Sequence, residues 1–252
     1  MAQPALQRIT IFPIKSLDGL TLDRITIANG KLAGDREYAF FDRDGRYVNG
    51  KRYPAILRVR ARYDNNGVTL SHPAHQRVTA VLPDQASLLA EWLSEVLQQP
   101  VQLRYDPQGF PDDTNAPGPT IIGTATIEAL AHLFQLPTEN IRRRFRMNLE
   151  IGFAEPLAED RLVGTTKDRP RLFAIGSVRF AGVNICSRCS VPPRDPDTGT
   201  ILPKFRQQFL QWRKQHTDPA VSAEQIEHFY KLGINTRILA GTELRVGDVL
   251  KV

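Results

Sequence analysis

The chain has 252 residues, of which 41% are hydrophobic and 24% charged, with a formal net charge of +6. Length and apolar content suit one large or two modest domains with a packed core and exclude a disordered chain. No apolar run reaches the roughly 18 residues of a membrane span. The opening Met1-Ala2-Gln3-Pro4 lacks the basic and apolar regions of a secretory leader, and two cysteines do not make a disulfide framework, so the expected setting is the reducing cytoplasm.

The first part reads as strands and turns. Ile9 to Phe12 is an apolar run closed by Pro13-Ile14-Lys15-Ser16, which puts Lys15 and Ser16 at a strand end, and Leu20, Leu22, Ile25 and Ile27 suggest a second extended segment. Gly34-Asp35-Arg36 leads into Tyr38 to Phe41, and Asp42-Arg43-Asp44-Gly45 signals a hairpin with Arg46-Tyr47-Val48. The polar Asn49-Gly50-Lys51-Arg52 follows at another strand end. Ile56 to Ala61, the turn Asp64-Asn65-Asn66-Gly67 and Val68 to Leu70 repeat the hairpin pattern, and Arg77 to Leu82 adds a strand. Leu88, Leu89, Trp92, Leu93, Val96 and Leu97 recur at helical spacing and predict one amphipathic helix stopped by Pro100. Val101 to Tyr105 is extended. Asp106 to Pro119, rich in Pro, Gly, Asp and Asn, marks an expected boundary between residues 1–110 and 111–252.

The second part mixes strands with more helix. Thr120-Ile121-Ile122 leads through Gly123-Thr124 into a helix carrying Ile127, Leu130, Ala131 and Phe134, whose first hydroxyls can cap it or meet an anion. Phe145 to Ile151 reads as extended, with Arg146 and Asn148 on one face. A polar, exposed stretch runs to Lys167, and Arg171 to Ile175 pairs with Val178 to Ile185 through Gly176-Ser177. Phe205, Phe209 and Trp212 share a helix, and Ser222-Ala223-Glu224-Gln225 starts another that runs to about Leu232. Short strands at Thr236 to Leu239, Leu244 to Val246 and Val249 to Val252 end the chain. Many short strands without βαβ alternation favour a β-rich mixed α/β fold with barrel-like domains over a doubly wound sheet.

Both cysteines lie in Cys186-Ser187-Arg188-Cys189, just past the apolar run, with Asp195-Pro196-Asp197-Thr198-Gly199 downstream. A thiol at a strand end can face a cleft, a neighbouring cation such as Arg188 favours its thiolate, and the prolines stiffen the exit from the loop. Three other readings stay open: a redox pair, although no helix pattern follows it; structural zinc, although no partner spacing appears; and two inert packed thiols. The basic run Arg142-Arg143-Arg144 with Arg146 could meet nucleic acid, but no recognition motif accompanies it, and a site for one small anion accounts for the charge equally well.

Taken together, Cys186-Ser187-Arg188-Cys189 with Asp195 to Gly199, Phe12-Pro13-Ile14-Lys15-Ser16, Gly34-Asp35-Arg36 and Phe145-Arg146-Met147-Asn148 resemble, in the same order, the motifs of MOSC-domain proteins. The nearest resemblance is to the branch that contains the mitochondrial amidoxime-reducing component. It implies a smaller N-terminal β-barrel-like domain followed by a MOSC-type β-barrel domain. It also implies a molybdenum-pterin cofactor (Mo-molybdopterin) whose metal is ligated by the Cys189 thiolate. Lys15, Ser16, Arg36, Arg146 and Asn148 match cofactor-holding positions, Thr124 and Thr126 lie near another, and Ser187 and Arg188 flank the ligand. The implied reaction is two-electron reduction of a small N-hydroxylated substrate such as an amidoxime or hydroxamic acid. Asp195 or Asp197 would relay the proton or only shape the turn. Electrons would come from a separate ferredoxin- or cytochrome b5-like donor with its reductase. A cofactor carrier or a sulfur-transfer protein with a persulfide on Cys189 is the alternative. Asn49-Gly50-Lys51-Arg52 replaces the branch's Thr-Ala-Arg-Gln, and Met147 replaces its proline, so substrate preference is expected to differ.

Overall fold

The structure is a computed structural model that describes residues 3–166 and 168–252; the expectations placed on Met1, Ala2 and Lys167 lie outside the described residues. Its strands and helices, in order, are β1 (Leu6–Ile11), β2 (Leu20–Leu22), β3 (Arg24–Ala28), β4 (Lys31–Leu32), β5 (Tyr38–Asp42), β6 (Arg60–Asp64), β7 (Gly67–His72), β8 (His75–Ala80), α1 (Ala86–Leu97) and β9 (Val101–Tyr105). The second part contains β10 (Ile121–Gly123), α2 (Thr124–Phe134), α3 (Thr138–Phe145), β11 (Leu149–Ile151), β12 (Arg171–Ile175), β13 (Val178–Ser187), α4 (Phe205–His216), α5 (Ala223–Ile226), β14 (Lys231–Ala240), β15 (Glu243–Arg245) and β16 (Leu250–Lys251).

The fold is mixed α/β and rich in strand, as expected. Its largest sheet runs β16-β12-β13-β14-β10-β11-β1-β2, antiparallel except for the β10–β11 pair. An Ala5–Val249 bridge, with Leu6 N–H donating to the Asp248 carbonyl and Leu250 N–H to that of Pro4, joins β1 to the chain entering β16 and rolls the sheet into a barrel-like closure. Closure satisfies backbone groups that an open edge would expose. The sheets also cross the Asp106–Pro119 segment, since β1 pairs with β11 and β3 with β15. One apolar cluster, including Leu6, Ile9, Phe180 and Ile234, lines the largest sheet, and a second, including Phe40, Leu70, Leu89 and Leu93, lies under α1 and the β6-β7-β8 hairpins. A third, including Phe145, Phe205 and Phe209, joins α2, α3 and α4.

Several local expectations change. Residues 20–27 divide into two strands in different sheets, and a 3₁₀ turn over Pro54–Arg58 replaces the start of the strand expected from Ile56, because Pro54 fixes a turn-compatible φ. Helix α3 reaches Phe145, so the strand expected from there begins only at Leu149. The helix capped by Ser222, whose Oγ accepts from Gln225 N–H, ends at Ile226 because the chain is drawn into β14 beside β13.

The stretch before Lys167, expected to be polar and exposed, instead buries Leu157, Glu159, Asp160 and Leu162. Gly182 of β13 lets this segment approach: an alanine Cβ there would lie 1.9 Å from the Leu162 carbonyl oxygen. Asp160 pairs with Arg213 of α4 at 2.5 Å, both side chains fully buried. Glu159 accepts from Thr126 Oγ1 at 2.9 Å, and burial with the neighbouring Asp160 carboxylate raises its pKa to about 7. The folded protein thus keeps a proton that the unfolded chain releases above its ordinary value of 4.5, so this group's contribution to stability falls as pH rises from 4.5 towards about 7. Between pH 5 and 7.5 the wild type should lose about 1–3 kcal/mol relative to Glu159→Gln in urea denaturation. Parallel curves for the two proteins would remove the assignment.

Candidate functional site

Three of the expected cations converge where β1 ends. Phe12 N–H donates to Asp35 Oδ1 at 2.8 Å, which ties the β1 exit to the Gly34-Asp35-Arg36 turn. Arg36 and Arg146 both take left-handed backbone, each with φ of 53°, and their guanidinium carbons lie 5.1 and 4.3 Å from the Phe12 ring centroid. Arg146 takes that conformation as the residue that terminates α3. Lys15 Nζ donates to the Phe110 carbonyl at 2.8 Å and to Asp112 Oδ1 at 2.5 Å. Arg36 donates to Asp35 Oδ2 and Asn148 Oδ1, at 2.5 and 3.2 Å. Among the described residues the Arg146 guanidinium has its ring contact with Phe12 and no hydrogen bond or ion pair, while the Asp18 and Asp112 carboxylates attract it from beyond bonding distance. Burial and the charge of Arg36 bring its pKa down to about 10. Lys15 is also lowered by burial, against the opposing effect of Asp112.

Asn148, 1% exposed, locks these segments together. Its Nδ2 donates to the Thr10 carbonyl and Asp35 Oδ1, and its Oδ1 accepts from Thr120 as well as Arg36. Ser16 sits in the turn beside Lys15 with φ of 74°. Thr124 opens α2 with a buried Oγ1 that lacks a partner, whereas the Thr126 hydroxyl is fully engaged, donating to Glu159 and accepting from Leu157 N–H.

The cysteine loop begins inside β13. Strand alternation turns Cys186 inward, where its thiol donates to Asn235 Oδ1 at 2.9 Å and burial pushes its pKa up to about 11. This is a packing residue. Ser187 faces outward, its Oγ 3.5 Å from His228 Nε2. Cys189 is half-buried, and its Sγ accepts from Val191 N–H at 3.4 Å.

Arg188 is not directed at Cys189 as its adjacency suggested. Its guanidinium donates to the Leu232 carbonyl, to the Phe145 carbonyl and to Met147 Sδ at 2.8 Å. In an extended chain, neighbouring side chains point to opposite faces. Arg188 therefore braces the loop against the two residues that flank Arg146, which connects the cysteine loop to the basic cluster.

The Arg142-Arg143-Arg144 run is engaged within the protein. Arg142 is bidentate to Glu150, and Arg143 is bidentate to Asp197. Arg144, with a side chain only 2% exposed, donates to the Asn140 side chain, the Pro192 and Arg194 carbonyls and Asp195. Asp195 also accepts from Asp197 N–H, Thr198 N–H and the Thr198 hydroxyl. Against the opposing effect of burial, these bonds hold it below the usual carboxylate range. Asp195 and Asp197 thus shape the loop and tie it to α3.

Sequence reasoning missed Arg144 as a clamp, and it missed Tyr230. The Tyr230 hydroxyl is buried without a partner, and burial together with the nearby Cys189 raises its pKa to about 12. From the N-terminal part, Gly50 leaves little room for a side chain beside Leu57 and Val191, since a Cβ there would lie 3.0 and 3.3 Å from them, and Arg60 reaches Asp197 at 3.4 Å. Among the described residues no cluster of three or more His, Cys, Asp or Glu is arranged to hold a metal ion. No helix among them is long and apolar enough to cross a membrane.

A β-rich fold with a braced thiol loop beside a buried cation cluster defines the class of site. The MOSC N-terminal beta barrel domain model matches residues 3–95 and the MOSC domain model residues 120–251, so the chain belongs to the MOSC-domain family. Over 225 residues it is 23% identical to the molybdenum cofactor sulfurases of Caenorhabditis briggsae and Caenorhabditis elegans. Those alignments cover 80% of this chain but 31% and 30% of the two relatives, so the chain spans under a third of their length. Among solved structures it is similar to the YUAD protein from Bacillus subtilis, with a TM-score of 0.41 and 9% identity over 99% of this chain and 97% of that one.

Proposed function

We propose that this chain binds a molybdenum-pterin cofactor with the Cys189 sulfur as metal ligand and reduces small N-hydroxylated compounds, as the amidoxime-reducing branch of the family does. The observation that carries the reading is Arg146: a half-buried guanidinium with no carboxylate bonded to it, beside Lys15 and Arg36 and braced through Arg188 to the Cys189 loop. A half-buried cation with no bonded counter-ion gains from one, and a phosphate ester supplies it. The unpartnered Thr124 hydroxyl offers a further polar contact.

In this reading Lys15, Ser16, Arg36 and Arg146 take the anionic end of the ligand. Asn148 fixes the backbone around them, and Arg144 with Asp195 and Asp197 holds the loop that presents Cys189. The soft thiolate suits the metal. When bound, the cofactor supplies the two-electron reduction that releases the N-hydroxyl oxygen as water. A separate redox protein supplies the electrons, and two free thiols suit a reducing compartment such as the cytoplasm.

A second reading, sulfur transfer through a persulfide on Cys189, is favoured by the names of the curated relatives. Metal and pterin content of protein from a cofactor-competent host, with mass spectrometry of Cys189, separates the two. Near-stoichiometric molybdenum with reduction of an amidoxime supports the first. A persulfide without metal supports the second and overturns the first.

A further inference from the structure

The Lys15–Arg36–Arg146 cluster already holds an anion belonging to the chain itself. Asp112, in the irregular segment between β9 and β10, lies 2.5 Å from Lys15 Nζ, yet its side chain is 78% exposed. The charges of Arg36 and Lys15, with the hydrogen bond from Lys15, bring the Asp112 carboxyl down to a pKa of about 2. The backbone on either side is fixed: Phe110 N–H donates to the Arg36 carbonyl, and Asp113 Oδ2 accepts from Asn184 and Asn235. The Asp112 side chain is thus the group free to swing away. Three cations face the carboxylates of Asp35 and Asp112, and Asp18 also acts on Arg146, so a doubly charged phosphate entering beside them would over-neutralise the cluster and meet like charge.

Resting on the proposed cofactor reading, we infer that Asp112 selects among anions at this cluster: it excludes small free anions such as inorganic phosphate and yields to a larger phosphorylated ligand. A phosphate ester with an extended body can make contacts beyond the cluster, and these offset displacement of the carboxylate. Free phosphate has only the cluster.

The test uses the full chain purified from a host that does not make the cofactor, titrated calorimetrically with inorganic phosphate at fixed ionic strength. Asp112→Asn, which keeps size and removes charge, should bind phosphate at least about tenfold tighter than the wild type, the scale of one like-charge contact. Asp112→Glu should stay near the wild type, and adding Arg146→Gly to Asp112→Asn should abolish the gain. Equal binding by the wild type and Asp112→Asn overturns the inference. So does no binding by either, or a gain that survives Arg146→Gly. Failure of the cofactor reading is seen separately, as absence of pterin in wild-type protein from a competent host.

Discussion

On the proposed cofactor reading, Cys189→Ser should leave the protein folded and abolish molybdenum binding, whereas Cys186→Ser should cost stability and leave that binding intact. Cys189 Sγ is half-buried and makes one long contact, to Val191 N–H at 3.4 Å, so exchanging sulfur for oxygen should change stability by no more than about 0.5 kcal/mol. A serine hydroxyl does not ionise at neutral pH and lacks the soft sulfur that such a metal prefers, so metal content should fall at least about tenfold. Cys186 packs among Ile122, Phe145 and Leu232, and a more polar atom there should cost about 1–2 kcal/mol with the metal retained. Metal analysis and thermal melts on both variants decide the matter. Metal lost from Cys186→Ser and kept by Cys189→Ser would reverse the assignment of the two thiols.

The second large effect is expected at a residue that touches neither the thiol nor the cation cluster. Arg144→Ala deletes bonds at 2.9, 2.7 and 3.3 Å that connect α3 to residues 192–195, and one at 2.6 Å to Asn140 within α3. Two carbonyls and the Asp195 carboxylate are left short of donors. Because Asp195 is partly exposed, the cost is set below that of a fully buried pair, at about 2–4 kcal/mol. Arg144→Lys should recover little of it, since an ammonium cannot reproduce a planar fork that reaches several acceptors. Urea denaturation gives the stability. Limited proteolysis should show new cleavage within residues 190–201, together with, on the proposed cofactor reading, reduced cofactor retention. A variant with an unchanged midpoint and a protected loop would mean that the clamp does not position Cys189.

Much of the local structure was legible in the residues. Helix α1 follows its apolar stripe, the β6–β7 turn follows Asp64 to Gly67, and Lys15 and Ser16 fall at the end of β1 as the proline after the apolar run implies. The paired motifs also pointed to the MOSC family, to which both family models assign the chain. Arg146 shows the limit. Read as part of a strand, it would share a face with Asn148, but α3 extends to Phe145 and Arg146 becomes its left-handed terminus, aimed at Phe12.

What the sequence by itself determined is what periodicity and turn chemistry encode over a few residues: which segments are strand or helix, and that a cysteine stands just past a strand end. Only the tertiary structure decided which charges meet. Arg143 and Arg144 find their carboxylates 54 and 51 residues away, and Lys15 finds Asp112 97 residues away. The same arginine run could face solvent, nucleic acid or a loop of its own chain. Coulomb attraction acts through space and carries no sequence period, so a charge's partner is fixed only once the sheet has closed and brought the strand ends together.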